Sequence, residues 1–168
     1  MSENEVKKPE LSDDEIRQMV AESDTGGRRP TGLAAKIVMY TAMAWSLFQM
    51  WIASPLPFIF GIFVLNDTQS RSIHLAFAMF LGYMLFPPLK SSPRTRIPVQ
   101  DWVLALLAAF CGAYLYLFYA ELAARPGQPT AFDLAVALTG VILLLEVTRR
   151  VIGLPMTVMA MIFIGYIF

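Results

Sequence analysis

Long apolar blocks, each closed by proline, glycine or charge, constrain what this chain can fold into more than any motif does. Residues 33–52 hold one charge, Lys36. Residues 73–89 end on Pro87 and Pro88, and residues 102–119 carry no charge. Residues 134–145 lead into Glu146, Arg149 and Arg150, and a last block covers residues 154–168. A backbone in hydrocarbon must satisfy its own polar groups, so apolar blocks of about 20 residues read as bilayer-crossing helices. The expected fold is an all-α integral membrane protein. It has about four transmembrane helices and the start of a fifth, preceded by a cytoplasmic tail with a short helix.

The distribution of charge points the same way. Charged residues make up 15 % of the chain and hydrophobic residues 57 %, whereas soluble domains carry about 25 % charged residues. Eight of the 13 acidic residues lie in the first 24 positions. Residues 1–32 read as a soluble tail and linker. Ser12 and Glu15 fit a capping box, and Leu11 and Ile16 a hydrophobic staple, so a short helix is expected over about 13–21. Glycines and Pro30 mark 24–32 as the linker. Residues 33–152 read as a four-helix membrane domain and 153–168 as the start of a further span. That last block is fifteen residues, about 22 Å of helix against a hydrocarbon core of about 30 Å. The chain therefore reads as part of a longer protein, cut inside a fifth span. Residues 56–65 are apolar but too short to cross, which suits a re-entrant or interfacial stretch.

Basic residues set the expected orientation. Lys7, Lys8, Arg17, Arg28, Arg29 and Lys36 precede or open the first span, Lys90, Arg94 and Arg96 follow the second, and Arg149 and Arg150 close the fourth. The other two loops hold only Arg71 and Arg125. The positive-inside rule puts the richer sides, and the N-terminus, in the cytoplasm of a bacterial or archaeal inner membrane.

Chemistry-bearing motifs are sparse. Arg28-Arg29 before an apolar run has the outline of a twin-arginine signal, but Pro30-Thr31-Gly32 and three later spans favour a cytoplasmic flank. Asn66-Asp67-Thr68 matches a glycosylation acceptor; a loop whose Asp67 or Ser70 caps the next helix competes with it. His74, the only histidine, has no Cys, Asp or Glu at metal-ligand spacing. Cys111 is alone, so no internal disulfide forms. Glu146, Arg149 and Arg150, at spacings of three and four, share one helix face and form the candidate anchoring or interface charges. Ala105, Ala108, Ala109, Gly112 and Ala113 form a small-residue stripe that admits a close helix neighbour. No phosphate loop, nucleophilic triad or paired intramembrane carboxylate is present. Enzymatic activity, a cofactor and nucleic-acid binding are therefore not expected, and residues alone lead to a membrane scaffold or part of a transporter.

Several stretches together resemble a known family. They are Asp24-Thr-Gly-Gly-Arg-Arg-Pro-Thr-Gly32, Trp45-Ser-Leu-Phe-Gln-Met-Trp51, Leu65-Asn-Asp-Thr-Gln-Ser-Arg-Ser-Ile-His-Leu-Ala-Phe77, Asp101-Trp-Val-Leu-Ala105 and Leu145-Glu-Val-Thr-Arg-Arg150. In order and spacing they resemble the N-terminal, small-subunit-like part of a fused TRAP transporter permease of the TAXI-associated type. The resemblance implies a secondary transporter driven by an ion gradient, usually sodium, that imports organic acids delivered by an extracytoplasmic solute-binding protein. It implies that this part is a scaffold in membrane lipid, bracing a transport domain of the same longer chain that holds the ion and substrate sites. No substrate or ion residue carries over to these positions. A membrane anchor of an enzyme and the membrane domain of a sensor are the competing functions.

Overall fold

The computed structural model describes residues 27–89 and 96–167. The helix expected over 13–21 and most of the 90–100 loop lie outside the described residues. Among the described residues the chain is helical throughout, in the order α1 (Gly32–Ala53), α2 (Leu56–Phe60), α3 (Asp67–Leu85), α4 (Val99–Leu117), α5 (Tyr119–Ala124), α6 (Ala131–Val151) and α7 (Leu154–Ile167).

Local chemistry sets most boundaries. Ser54 and Pro55 end α1, and Pro57 enters the first turn of the short α2. Gly61 then turns the chain at φ 65°. The polar run 66–72 was expected to be a loop; it is instead the start of α3. Asn66 is the cap: its side chain accepts from Gln69 N at 2.8 Å, and Gln69 Oε1 accepts from Asn66 N at 3.1 Å. Thr130 and Asp133 make the same reciprocal box at the start of α6. The helix α6 continues through Glu146, Arg149 and Arg150, which supplies the length that the apolar block alone lacked. Gly153, at φ +105°, separates it from α7. Where the third apolar block was expected to give way to a loop, Tyr119–Ala124 forms α5.

Helices α4 and α6 are long and apolar enough to cross a membrane by length and composition. Four such spans were expected. The helices α1 and α3 have the length, but Lys36 and Gln49 dilute the first and Asp67, Arg71 and His74 the second. The helix α7 is apolar but has 14 residues.

The central helix is α3, which packs closely on α4 and also meets α1 and α6. Ala105 and Ala108 are fully buried, and Met79, Tyr83, Met84, Leu143 and Val147 complete the core. Gly112 lets the backbones touch: a Cβ there would lie 2.9 Å from the Ala76 N and Cα. Ser72, buried on α3, inserts its hydroxyl into the last turns of α4. Its Oγ donates to Gly112 O at 2.7 Å and accepts from Tyr116 N at 3.1 Å. These are the two ends of one helical i to i+4 bond, an arrangement associated with bends, and α4 stops at Leu117.

The small-residue stripe does not all face one neighbour. Ala105, Ala108 and Gly112 are buried, while Ala109 and Ala113 are half-buried and line an open groove of about 280 Å³ with Thr41, Ile73, Phe77 and Phe80. Each residue turns a helix by about 100°, so 109 and 113 point aside from the contact line. Outside, large apolar side chains such as Leu47, Met50, Val103, Leu138, Ile142 and Ile162 are exposed, while Arg28, Asp101 and Asp133 are buried. That distribution inverts the pattern of a water-soluble bundle.

Candidate functional site

The buried charges collect where α1 and α4 begin and α3 and α6 end. Arg28 leads into α1, and its backbone N–H donates to Leu85 O at 2.6 Å, tying the segment to the end of α3. Its guanidinium donates to Asp101 Oδ2 at 2.5 Å and to Tyr83 O at 3.4 Å. Asp101 lies in the first turn of α4, where the helix dipole favours a carboxylate. Its second oxygen accepts from Arg150 Nη1 at 2.9 Å. Arg150 and Arg149 lie in the last turn of α6, where a cation is favoured.

From Arg150 the network continues along α6. Its Nε donates to Glu146 Oε1 at 2.9 Å, and its guanidinium lies 4.7 Å from the centroid of the Tyr83 ring. Arg149 grips Glu146 with two bonds of 2.8 Å, from Nε and Nη2, and Nη2 also donates to Pro88 O at 3.2 Å. This fork-to-fork geometry fixes orientation as well as distance. Tyr83 OH donates to Leu143 O at 2.9 Å. The side chains of Arg28, Asp101 and Arg150 are 0 %, 1 % and 3 % exposed, and those of Glu146 and Arg149 33 % each. Three arginines and two carboxylates therefore join the α1 lead-in with α3, α4 and α6. Arg28 Nε is buried without a hydrogen-bond partner among the described residues.

The other end of α4 and α6 has a smaller polar group. Asp133 accepts from the Tyr114 hydroxyl, pairs with Arg125 at 3.0 Å and accepts from Thr130 N at 2.7 Å. Its carboxylate is fully engaged in holding α6 to the end of α4 and to the loop after α5. It borders an apolar groove of about 400 Å³ that Leu75, Cys111 and Ala137 also line. Asp67 and Arg71 form a pair on the exposed start of α3.

Comparison with family models, curated proteins and solved structures finds no match. The chemistry of the site must therefore be taken from its own geometry. Every charged group in the main cluster is held by another. Among the described residues no group of three or more His, Cys, Asp or Glu forms a metal site. The arrangement ties the α1 lead-in, α3, α4 and α6 to one another.

The structure brings Glu146, Arg149 and Arg150 together as their spacing required. Arg28 and Asp101 were not assigned to that group. They lie 73 positions apart, and Arg28 looked like an ordinary membrane flank. A signal was available: Asp101 and Glu146 are the two acids that four-span counting puts on the arginine-rich side after the tail. Two isolated acids facing Arg28, Arg149 and Arg150 across helix ends are natural partners.

Proposed function

We propose that this chain is the membrane-embedded scaffold domain of an ion-gradient-driven transporter of the TRAP type. The observation that carries the proposal is the charge cluster Arg28–Asp101–Arg150–Glu146–Arg149, of which Arg28, Asp101 and Arg150 are buried. It joins the α1 lead-in to the ends of three further long helices whose outer faces are apolar. A brace needs those two properties: an exterior that lipid or a neighbouring helix can cover, and a rigid interior that holds helix heights while a partner moves.

In this reading α1, α3, α4 and α6 cross the bilayer, with the cluster at the cytoplasmic face and Asp133 at the outer face. The short α2 lies in the outer interface, and α7 leads toward a transport domain. The five stretches that resemble that family support the TRAP reading, and two of them contain the cluster residues Arg28 and Asp101, while a third contains Glu146, Arg149 and Arg150. Helix-end charges that are paired with one another leave few groups for the midplane ion and substrate sites that transporters build from broken helices. The sodium and organic-acid sites then belong to the transport domain, and the substrate arrives from an extracytoplasmic binding protein.

Calorimetry on the purified 168-residue chain in detergent, titrated with small mono- and dicarboxylates with and without sodium, tests this division of labour. The expected trace shows only dilution heat. A saturable, sodium-dependent heat overturns the scaffold reading and puts a transport site within these helices.

A further inference from the structure

The lead-in to α1 is pinned at the charged end, and the pin fixes where the preceding chain meets the bundle. Arg28 N–H donates to Leu85 O at 2.6 Å, and the Arg28 side chain is 0 % exposed against Asp101. Residues 1–26 therefore join the bundle beside the last turn of α3. Leu85 also lines an apolar groove of about 620 Å³ between α1 and α6, which runs from Ala42 and Leu75 to Val151 and Ile152. Val151 and Ile152, just beyond Arg150, are 42 % and 61 % exposed.

This end of the bundle carries an excess of positive charge. The cluster sets three arginines against two carboxylates. Arg29, Lys36 and Arg96 lie at the same end, where α1 and α4 begin, and bring the balance of the six bases and two acids to +4. Residues 1–26 hold eight acids and three bases, a net charge of −5. In the helix that the sequence predicts over 13–21, Ile16, Met19 and Val20 share one face, and Asp13 and Glu15 flank it. Val20 lies seven residues before Gly27, a reach of at most about 25 Å. The groove opens beside Leu85, where that chain is anchored.

We propose that segment 13–24 docks on the charged end of its own bundle, laying Ile16, Met19 and Val20 on the groove mouth and its carboxylates among the basic side chains. The short tether holds the segment at high effective concentration beside this end, and opposite charge selects the end over the rest of the surface. Anionic lipid repels the same carboxylates, which directs the apolar stripe to protein rather than to the membrane surface. The docked segment clasps α1 to α6 across the gap over α3. This goes beyond the scaffold reading and holds for the chain whether or not it serves a transporter.

The test is the rate of disulfide formation between Met19→Cys and Ile152→Cys, in a Cys111→Ser background, with the 168-residue chain in lipid nanodiscs under a mild oxidant. Asp13→Lys, Asp14→Lys and Glu15→Lys, made together, supply the comparison, because they keep the tether and reverse the charge. The chain with native charges should close the bond about ten-fold faster than the reversed one at low salt, and high salt should shrink the difference. Equal rates at low salt overturn the proposal, because a tether alone then accounts for the encounter. A product that runs as a dimer overturns it by making a second copy the docking surface. Fast closure in phosphatidylcholine that falls to the reversed rate in phosphatidylglycerol also overturns it, because anionic headgroups then occupy the basic end.

Discussion

Replacing Asp101 with asparagine should destabilise the bundle more than any other single change in its charged end. Asp101 is 1 % exposed and bridges Arg28 and Arg150, whose side chains are 0 % and 3 % exposed. Removing one partner of a buried pair leaves an uncompensated charge and costs about 3–5 kcal/mol. Arg150 keeps Glu146 at 2.9 Å, and asparagine keeps one accepting oxygen, so Asp101→Asn belongs at the low end, about 3 kcal/mol. Arg28→Met leaves Asp101 paired with Arg150, and its cost should be nearer about 1–2 kcal/mol. With Arg28 already gone, Asp101→Asn strands only one guanidinium, so the double variant should lose less than the sum of the two single losses. Urea unfolding in mild detergent, followed by tryptophan fluorescence, measures all four corners of the cycle. An Asp101→Asn loss below about 1 kcal/mol, or simple additivity with Arg28→Met, would refute the view that this carboxylate is the hub of the cluster.

Contacts within the bundle make further predictions. Gly112→Val should destabilise by about 1–3 kcal/mol through overpacking, because a Cβ there already meets the Ala76 backbone at 2.9 Å. Ala109→Leu, directed into the open groove beside Thr41 and Phe77, should change melting little; equal losses for both variants would contradict the observed faces. Ser72→Ala removes the hydroxyl that binds both Gly112 O and Tyr116 N. It should cost about 1 kcal/mol and quicken amide exchange at Tyr116, whereas unchanged exchange there would show that the insertion is dispensable. Glu146→Gln should cost less than Asp101→Asn, about 1 kcal/mol or under, because Glu146 and Arg149 are each one-third exposed and water screens them.

The helices were legible where hydrophobic length speaks clearly. The first block, 33–52, becomes α1 with one more residue at each end. Crowding Glu146, Arg149 and Arg150 at the end of a short apolar block required a helix extending through them, and α6 does so. The start of α3 was less legible because Asp67, Gln69, Ser70 and Arg71 look like a loop when judged by polarity. The decisive residue is Asn66, whose reciprocal bonds with Gln69 begin a helix before its apolar part. The cluster was half visible. Residues three and four apart on one helix declare their contact, whereas Arg28 and Asp101 meet only because α3 and α4 pack closely enough to bring the α1 lead-in over the start of α4. The small-residue stripe shows a similar limit: composition marks a surface that permits close approach, and the turn of the helix decides that Gly112 is covered while Ala109 is not.

Cysteine accessibility tests most directly whether the charge cluster and the Asp133 group sit on opposite sides of a membrane. In a Cys111→Ser background, Gln100→Cys lies at the cluster end of α4, and Gln128→Cys lies in the loop before α6. Intact cells expressing each variant are treated with a membrane-impermeant maleimide. The scaffold account predicts that Gln128→Cys reacts from outside, while Gln100→Cys reacts only after the membrane is opened. Labelling of both from outside, or of Gln100→Cys alone, contradicts it.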